Sequence, residues 1–194
     1  MSAIDEAGGG GTVGAGTVGA GTAGGSSPDE EAVVVELAAR LGRRLQALGW
    51  TIATVESCTG GLVARALTET AGSSAWFDRG FVTYTNESKA ELVGVSGDTL
   101  AAHGAVSEPT AREMAAGGLA HSRARVALSV TGIAGPGGAV PGKPVGTVCF
   151  GWAIDARVAS DTRYFAGDRR AVRLQAALHA LGGVLERLPA DPKD

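Results

Sequence analysis

Apolar residues recur at two spacings along this chain of 194 residues, and each spacing predicts a different kind of element. A helical spacing runs through residues 33–48 and returns in residues 174–188, so a long helix is expected near each end of the folded region. Shorter apolar or alternating runs predict strands at residues 51–56, 76–85, 125–135, 146–155 and 157–165. Further helices are predicted at residues 60–70, 86–94 and 108–121.

Strands that alternate with helices predict a sheet that is covered by helices on both faces. We therefore expect an α/β protein, built as a three-layer α/β/α sandwich. The last two predicted strands follow each other as a hairpin, with no helix between them. Because the strands of a hairpin are antiparallel, the sheet should be mixed rather than purely parallel.

Residues at the predicted helix ends support these boundaries. Ser27 can cap the first helix, Pro28 suits its first position, and Gly49 can end it. Ser107 and Asp168 stand just before two later helices, where short polar side chains cap the first turn.

The start of the chain differs from the rest of it. Residues 1–28 are rich in glycine and hold the imperfect repeat GTVGA. Such a segment buries too little apolar surface to offset the entropy that it would lose on ordering. We expect residues 1–28 to form a disordered extension and residues 29–190 to form the folded domain.

Composition narrows the class of protein. The formal net charge is -3, the hydrophobic content is 44% and the mean hydropathy is +0.12, which together suit one soluble domain. No apolar run approaches the ~20 residues that cross a bilayer, so no membrane contact is expected. The acidic balance disfavours a nucleic-acid-binding surface. We expect Cys58 and Cys149 to be thiols of a cytoplasmic protein.

Candidate chemistry begins at the turn ESCTGG, where the first predicted strand gives way to a helix. Ser57, Cys58 and Thr59 stand side by side there, ahead of Gly60 and Gly61. The glycines let a ligand approach the backbone, and the N–H groups at the start of the helix can hold an oxyanion or a phosphate. The simpler alternative is that Ser57 or Thr59 only caps the helix.

A serine nucleophile needs a base, and no histidine stands in a motif that would supply one. Tyr84 ends a predicted strand, and Lys89 falls in the first turn of the helix that follows. A lysine that is buried beside a helix N-terminus has a lowered pKa and can take a proton from a serine. The alternative is an ordinary solvated lysine.

A third candidate stretch spans residues 129–148. A predicted strand gives way there at Thr131 and Gly132 to a loop that is rich in glycine and proline and includes Gly135. Its backbone N–H groups can surround a polar ligand. The stretch matches neither GxxxxGK[ST] nor GxGxxG in order, and the alternative is a flexible connection.

Four stretches taken together resemble the CinA C-terminal domain family, whose members include bacterial nicotinamide-nucleotide amidohydrolases. They are ESCTGG, GSSAWFDRGFVTYTNESKAELVGV, HGAVSEPTAREMA and SVTGIAGPGG with the later KPVGTV, in the family's order and spacing. The resemblance covers about residues 30–188. Longer members carry a nucleotide-pyrophosphatase-type domain before this one. The chain has a glycine-rich segment there, so it resembles the stand-alone form.

The resemblance implies a reaction. It implies hydrolysis of the carboxamide of nicotinamide mononucleotide (NMN), which yields nicotinate mononucleotide and ammonia without a metal or another cofactor. It implies that Ser57 is the nucleophile, that Lys89 is its general base, and that Tyr84 relays or stabilises the proton. Cys58 remains an alternative nucleophile because thiolates are intrinsically reactive.

The same turn supplies candidates for the supporting roles. The backbone N–H groups of Cys58 and Thr59 are candidates for the oxyanion hole, and Glu56 is a candidate for orienting the turn. Arg169, Arg170 and Arg173 lie near the start of the last helix, where arginines can bind a phosphate.

The loop at residues 131–143 is the other candidate for the phosphate, and a solvated basic face is the alternative for the arginines. The full set of substrate-binding candidates is Cys58, Thr59, Gly60, Gly61, Thr131, Gly132, Gly135 and Arg169. We expect the partner to be a small-molecule nucleotide substrate, and we expect the protein to form a homo-oligomer.

A second class of function stays open, which is a nucleotide-binding module of the same family without catalysis. A degenerate binder would be free to lose Ser57, Tyr84 or Lys89, and this chain keeps all three. A DNA-binding competence protein is disfavoured by the net charge of -3.

Overall fold

The structure is a computed structural model that describes residues 28–190 of the chain. The predicted Ser27 cap and the expected extension before Pro28 lie outside the described residues. Within residues 28–190 the helices are α1 (Pro28–Leu48), α2 (Leu62–Thr68), α3 (Asn86–Val93), α4 (Gly97–His103), α5 (Glu108–Ala120) and α6 (Arg169–Leu185). The strands are β1 (Ile52–Glu56), β2 (Phe77–Val82), β3 (Val126–Gly132), β4 (Thr147–Ile154) and β5 (Arg157–Tyr164), and one turn of 3-10 helix spans Ser73–Ala75.

The strands form one sheet with the order β2-β1-β3-β4-β5. β1 lies between β2 and β3 and is parallel to both, with Val55 opposite Phe81 on one side and Ser129 on the other. β4 is antiparallel to β3 and to β5. The predicted mixed sheet is therefore confirmed, and the parallel part brings the carboxyl ends of β1, β2 and β3 to one edge.

Helices cover both faces of the sheet. On one face α1, α2 and α6 pack against one another, and on the other face α3 and α4 pack around α5. Alternation along β1 divides its side chains between the two faces. Ile52 joins the core beneath α1 and α6, whereas Ala53 and Val55 join the clusters beneath α5. The predicted three-layer α/β/α sandwich is confirmed.

The predicted helix ends agree well with the structure where polar caps mark them. The side chain of Ser107 accepts a hydrogen bond from Thr110 N at 3.4 Å at the start of α5. Asp168 accepts one from Ala171 N at 2.8 Å at the start of α6. These caps fix the two longest helices that pack on β3 and β4.

Two differences from the sequence pattern have local causes. Helix α2 begins at Leu62 rather than at residue 60, because Gly60 and Gly61 adopt φ of 58° and 92°, in the left-handed region. The pattern does not predict α4, because Leu100 is the one large apolar residue in its seven residues. Among the helices of residues 28–190, none combines the length and the apolar character that a membrane span requires.

The position of α3 depends on its close approach to α5 at Gly117. A Cβ there would lie 1.8 Å from the backbone oxygen of Val93, which is the last residue of α3. Backbone cannot move aside as a flexible side chain can, so only glycine fits. The spacing between these helices sets where α3 lies above the sheet.

We expect Gly117→Ala to lower the free energy of unfolding by about 1–3 kcal/mol, because it forces α3 away from α5. Gly182→Ala in α6 is the matched control, because a Cβ there meets nothing within 4 Å. The control should raise the free energy of unfolding by about 0.5–1 kcal/mol through helix propensity. Urea unfolding followed by circular dichroism measures both, and equal midpoints for the two variants would contradict the tight contact.

Candidate active site

Ser57 stands directly after β1, at the edge where the parallel strands end. Its backbone N–H donates to Val130 O at 2.9 Å, which fastens the start of the turn to β3. The residue is buried, with 8% of its surface exposed. Because side chains alternate along a strand, Glu56 contacts the backbone of α2 while Ser57 contacts Lys89 of α3, on the opposite face.

Lys89 is buried beside this serine. It is 1% exposed, and its Nζ lies 3.3 Å from Ser57 Oγ. The same nitrogen donates to the backbone oxygens of Thr83 at 2.9 Å and Thr85 at 3.4 Å. Burial lowers the pKa of the Lys89 amine, while the nearby Cys58 and Glu87 oppose that shift. The alternative of a solvated surface lysine is therefore wrong.

These contacts suit a neutral amine. A neutral lysine has two N–H bonds and one lone pair. The carbonyl oxygens of Thr83 and Thr85 can accept the two N–H bonds, which leaves the lone pair for the hydroxyl hydrogen of Ser57. The arrangement can therefore take a proton from Ser57 as the serine attacks an electrophile.

The segment that holds Lys89 is itself tied at both ends. Thr83 N donates to Glu56 O at 2.8 Å, which continues the pairing of β1 and β2 past the end of the strands. Thr85 and Ser88 form a reciprocal capping box at the start of α3, with bonds of 3.0 and 3.1 Å. Both carbonyl acceptors of Lys89 are thus held in place.

The turn after Ser57 leaves two backbone donors available. Gly60 N donates to Ser57 O at 3.0 Å, which closes a four-residue turn. Arg173 Nη2 donates to Thr59 O at 2.7 Å, from α6. Within residues 28–190, the backbone N–H groups of Cys58 and Thr59 make no hydrogen bond to another residue. Adjacent free N–H groups of this kind can bind an oxyanion.

The N-terminus of α2, in contrast, is already occupied. Glu56 Oε2 accepts hydrogen bonds from Gly61 N at 3.0 Å and Val63 N at 3.1 Å, and its Oε1 accepts one from Ala64 N at 2.8 Å. Gly61 is the helix N-cap and has no side chain to cap with. Within residues 28–190, Thr59 Oγ1 has no hydrogen-bond partner and Ser57 Oγ bonds to Lys89, so neither side chain caps this helix. The N–H groups that the sequence suggested for a ligand are therefore used by Glu56.

A cavity of about 240 Å³ opens in front of Ser57, close to the lower end of the ~300–1,000 Å³ that is usual for ligand pockets. It brings together most of the predicted site residues, namely Ser57, Cys58, Tyr84, Lys89, Thr131, Gly132 and Arg169. Within residues 28–190, no three His, Cys, Asp or Glu side chains group closely enough to hold a metal ion.

Tyr84 and Arg169 meet at the rim of this cavity. Arg169 Nη2 donates to the Tyr84 hydroxyl at 2.7 Å, and its Nη1 donates to Gly135 O at 2.9 Å. Tyr84 is 54% exposed, and in the described structure its hydroxyl does not bond to Ser57 or Lys89. Gly135 contributes its carbonyl to Arg169 and does not line the cavity.

Two hydrogen bonds, one from a hydroxyl and one from an amine, connect the glycine-proline stretch to the neighbouring α4 and the segment that follows it. Thr131 Oγ1 donates to Ala105 O at 2.8 Å, and Lys143 Nζ donates to His103 O at 3.0 Å. The first bond holds the segment between α4 and α5 against the end of β3, and the second holds Lys143 of the loop against the last residue of α4. The stretch is therefore anchored at Thr131 and at Lys143.

Four predicted residues face a different space. Gly60, Gly61, Arg170 and Arg173 line a second cavity of about 360 Å³, on the other side of the turn from the Ser57 cavity. Arg170 pairs with Glu31 at 2.6 Å there. Only Arg169 of the three arginines lines the cavity that contains the serine.

Sequence reasoning did not single out Thr85, Asn86, Ala105 and Val106, which also line the Ser57 cavity. Ala134, the remaining lining residue, lies in the candidate loop at residues 131–143. Ala105 and Val106 belong to the connection between α4 and α5, which could not be anticipated without α4. Asn86 lies three positions before Lys89 in the first turn of α3, so its place beside the base was available from the sequence.

Comparison with known proteins identifies the family. The family model described as CinA C-terminal domain matches residues 34–188. The chain belongs to the CinA C-terminal domain family. Over 147 residues it is 58% identical to the nicotinamide-nucleotide amidohydrolase PncC of Enterobacter agglomerans, with 75% of this chain and 90% of that protein covered.

Other members of the family extend this similarity. The chain is 54% identical over 153 residues to the nicotinamide-nucleotide amidohydrolase PncC of Escherichia coli K12, with 78% of this chain and 92% of that protein covered. The crystal structure of the competence/damage inducible protein CihA from Agrobacterium tumefaciens matches with a TM-score of 0.76 at 48% identity, over 79% of this chain and 94% of that chain. Because the two amidohydrolases are matched over nearly their whole length, the resemblance to the stand-alone form is confirmed.

The Cys58 side chain is a buried, protonated thiol. Desolvation by burial is the main cause that raises the pKa of its thiol to about 12. The charge of Glu56 acts in the same direction, whereas a backbone N–H group and the guanidinium groups of Arg173 and Arg169 act against it. Burial also raises the pKa of the Cys149 thiol. At neutral pH both side chains are thiols, which argues against Cys58 as the nucleophile.

We expect neither cysteine of the native protein to react appreciably with iodoacetamide at pH 8. With a pKa of about 12, about one Cys58 thiol in ten thousand is ionised at that pH. In guanidinium chloride, which unfolds the protein and exposes the thiols, iodoacetamide should modify both cysteines. Mass spectrometry of peptides measures the difference, and rapid labelling of native Cys58 would contradict the buried, protonated thiol.

Proposed function

We propose that this protein hydrolyses the carboxamide of NMN to nicotinate mononucleotide and ammonia. The observation that carries the proposal is the buried Lys89 amine 3.3 Å from Ser57 Oγ, at the edge of a cavity. Relatives at 58% and 54% identity that bear the name nicotinamide-nucleotide amidohydrolase support the same reaction. We assign the activity to the domain formed by residues 29–190.

In the first half of the reaction, Ser57 Oγ attacks the carboxamide carbon while neutral Lys89 accepts the hydroxyl proton. The carbonyl oxygen becomes an oxyanion, which the backbone N–H groups of Cys58 and Thr59 can stabilise. The C–N bond then breaks, and the Lys89 ammonium returns its proton to the departing nitrogen, which leaves as ammonia. The nicotinoyl group remains bound to Ser57 as an ester.

In the second half, water attacks the ester and Lys89 again accepts the proton. The bond between the acyl carbon and Ser57 Oγ breaks, and the proton returns to that oxygen. The product acid ionises to nicotinate mononucleotide. Each step uses Lys89 in the protonation state that the previous step leaves, so one buried lysine serves as base and as acid.

The rest of the cavity suits a nucleotide. Arg169 is the arginine that lines it, and we assign this guanidinium to the substrate's anionic part. The hydrogen bond from Arg169 to Tyr84 supports a role for Tyr84 in orienting that guanidinium. Thr131 and Gly132 form the wall at the end of β3. A proton relay through Tyr84 would require its hydroxyl to bond to Ser57 or Lys89, which it does not do in the described structure.

A module that only binds the nucleotide would not need this lysine. Burying an amine costs free energy, and burial favours its neutral form, which attracts an anionic ligand less than an ammonium does. Lys89 is 1% exposed and contacts Ser57 Oγ, so its position serves proton transfer better than it serves binding.

The direct test incubates purified protein with saturating NMN and measures ammonia and nicotinate mononucleotide. We expect Ser57→Ala to abolish turnover while the fold stays intact. Cys58→Ala is the matched neighbour and should keep most of the activity, because only its backbone N–H is used. An active Ser57→Ala beside an inactive Cys58→Ala would overturn the assignment, and a parent protein that releases no ammonia from NMN would overturn the function.

The pH dependence of kcat/KM tests the base. Lys89 must be neutral to accept a proton, and its lowered pKa lies below the ordinary ~10.4 of a lysine. We expect kcat/KM to rise about tenfold per pH unit below that pKa and to level off above it. Lys89→Arg keeps the charge and should be as inactive as Lys89→Ala.

Lys89→Met controls for folding. In the parent, the folded chain loses the Lys89 proton at a lower pH than the unfolded chain does. Burial of this lysine therefore lowers the free energy of unfolding at pH values below its ordinary pKa, and by the full amount below its lowered pKa. Replacing it with an unbranched apolar side chain should remove activity without lowering the melting temperature. Near-normal turnover of Lys89→Arg would exclude lysine as the base.

A further inference from the structure

Glu56 is a completely buried carboxylate that the reaction above does not use. It is 0% exposed, and from the part of the chain that the structure describes its side chain accepts three hydrogen bonds, all from backbone N–H groups of the turn and of α2. A buried carboxylate costs free energy unless its oxygens are well satisfied. Here both oxygens are satisfied by donors that would otherwise be free at the start of a helix.

The backbone of Glu56 holds the other half of the site. Its carbonyl oxygen accepts a hydrogen bond from Thr83 N at 2.8 Å. The carbonyl of Thr83 in turn accepts a bond from Lys89 Nζ at 2.9 Å. One residue therefore connects α2, the end of β1 and the acceptor that fixes the lysine. Ser57 is the next residue in the chain, so its direction depends on how Glu56 is held.

We infer that Glu56 is a positioning residue for the nucleophile and for the oxyanion donors. Its carboxylate occupies the N–H groups of Gly61, Val63 and Ala64, so the free donors of the turn are those of Cys58 and Thr59. It also fixes where the turn leaves β1, within reach of Lys89. This inference rests on the proposed function and adds a residue that never touches the substrate.

Glutamine at position 56 separates this role from simple filling of space. The carboxylate accepts with both oxygens, two bonds on Oε2 and one on Oε1. The amide of glutamine has one oxygen and an NH₂ group that cannot accept. Whichever way the amide turns, its NH₂ faces at least one backbone N–H donor. The turn must shift to separate the two donors, although the volume of the side chain is unchanged.

A second carboxylate offers a matched control. Glu113 of α5 accepts hydrogen bonds from Ser96 N at 2.8 Å and from Thr99 Oγ1 at 2.5 Å at the start of α4. It thus binds a helix start, as Glu56 does, and like Glu56 it does not line the Ser57 cavity. Unlike Glu56, it is not adjacent to Ser57 in the chain. Glu113→Gln should therefore disturb a helix start without disturbing the nucleophile.

The experiment compares Glu56→Gln, Glu113→Gln and the parent protein. Loss of an oxyanion donor or a shift of the nucleophile by ~1 Å costs about 10²-fold in rate. We expect kcat of Glu56→Gln to fall by about that factor with little change in KM, and the rising limb of its pH profile to stay in place. Glu113→Gln should keep the parent kcat even where its melting temperature falls as far.

A spectroscopic readout makes the outcome independent of turnover. In ¹H–¹⁵N spectra we expect the amide signals of Cys58 and Thr59 to move in Glu56→Gln and to stay in Glu113→Gln. Unmoved signals together with a parent-like kcat would overturn the inference, as would a loss of kcat that Glu113→Gln shares. If the parent releases no ammonia from NMN, the function fails, and the amide signals alone decide the positioning role.

If Glu56→Gln does not fold, Glu56→Asp takes its place and Glu113→Asp becomes the control. Aspartate keeps both acceptor oxygens on a stem that is one methylene shorter. We expect Glu56→Asp to move the Cys58 and Thr59 signals and to lower kcat more than Glu113→Asp does. Equal behaviour of the two aspartate variants would overturn the inference.

Discussion

The removal of Lys89 from water is the constraint on which the site depends. Its amine is 1% exposed and contacts two backbone carbonyls and one hydroxyl. Water would stabilise the ammonium, whereas this environment favours the neutral amine that a general base needs. The position of Lys89 in the first turn of α3 acts in the same direction, because the helix N-terminus is the positive end of its dipole. The stability that this burial costs must come from the packing of α3, including its close approach to α5.

The three layers are needed because the site uses both faces of one strand. Glu56 and Ser57 are adjacent, and the alternation of a strand sends their side chains to opposite faces. The carboxylate therefore fastens to α2 on one side while the hydroxyl meets Lys89 of α3 on the other. A slip of one residue in the register of β1 would exchange the two side chains. Register is protected because β1 lies between two partners and its five residues are all buried.

Much of this arrangement could be predicted from the sequence, and the failures have physical causes. Periodicity reveals elements, and neighbouring parallel strands must end at one edge, so Ser57 and Lys89 could be expected to meet. Spacing alone does not tell which donors are already used, and so it could not show that Glu56 occupies the start of α2. Arg169 and Arg170 are neighbours in the sequence, and from the sequence both are candidates for the phosphate. They line different cavities because adjacent residues of a helix point about 100° apart.

The turn at residues 57–60 separates those two cavities, and its peptide groups are oriented by what lies behind it. The backbone oxygen of Thr59 accepts a hydrogen bond from the Arg173 guanidinium, and the backbone oxygen of Ser57 accepts one from Gly60 N. The carbonyl ends of the turn are thus satisfied within the protein, while among residues 28–190 no group accepts from the N–H groups of Cys58 and Thr59. In the proposed reaction, an oxyanion at these N–H groups would also meet peptide dipoles that are already aligned, so little reorganisation would accompany the chemical step. Because Arg173 is held by the same helix as Arg169, α6 supports the turn from behind while it supplies a cation to the cavity in front.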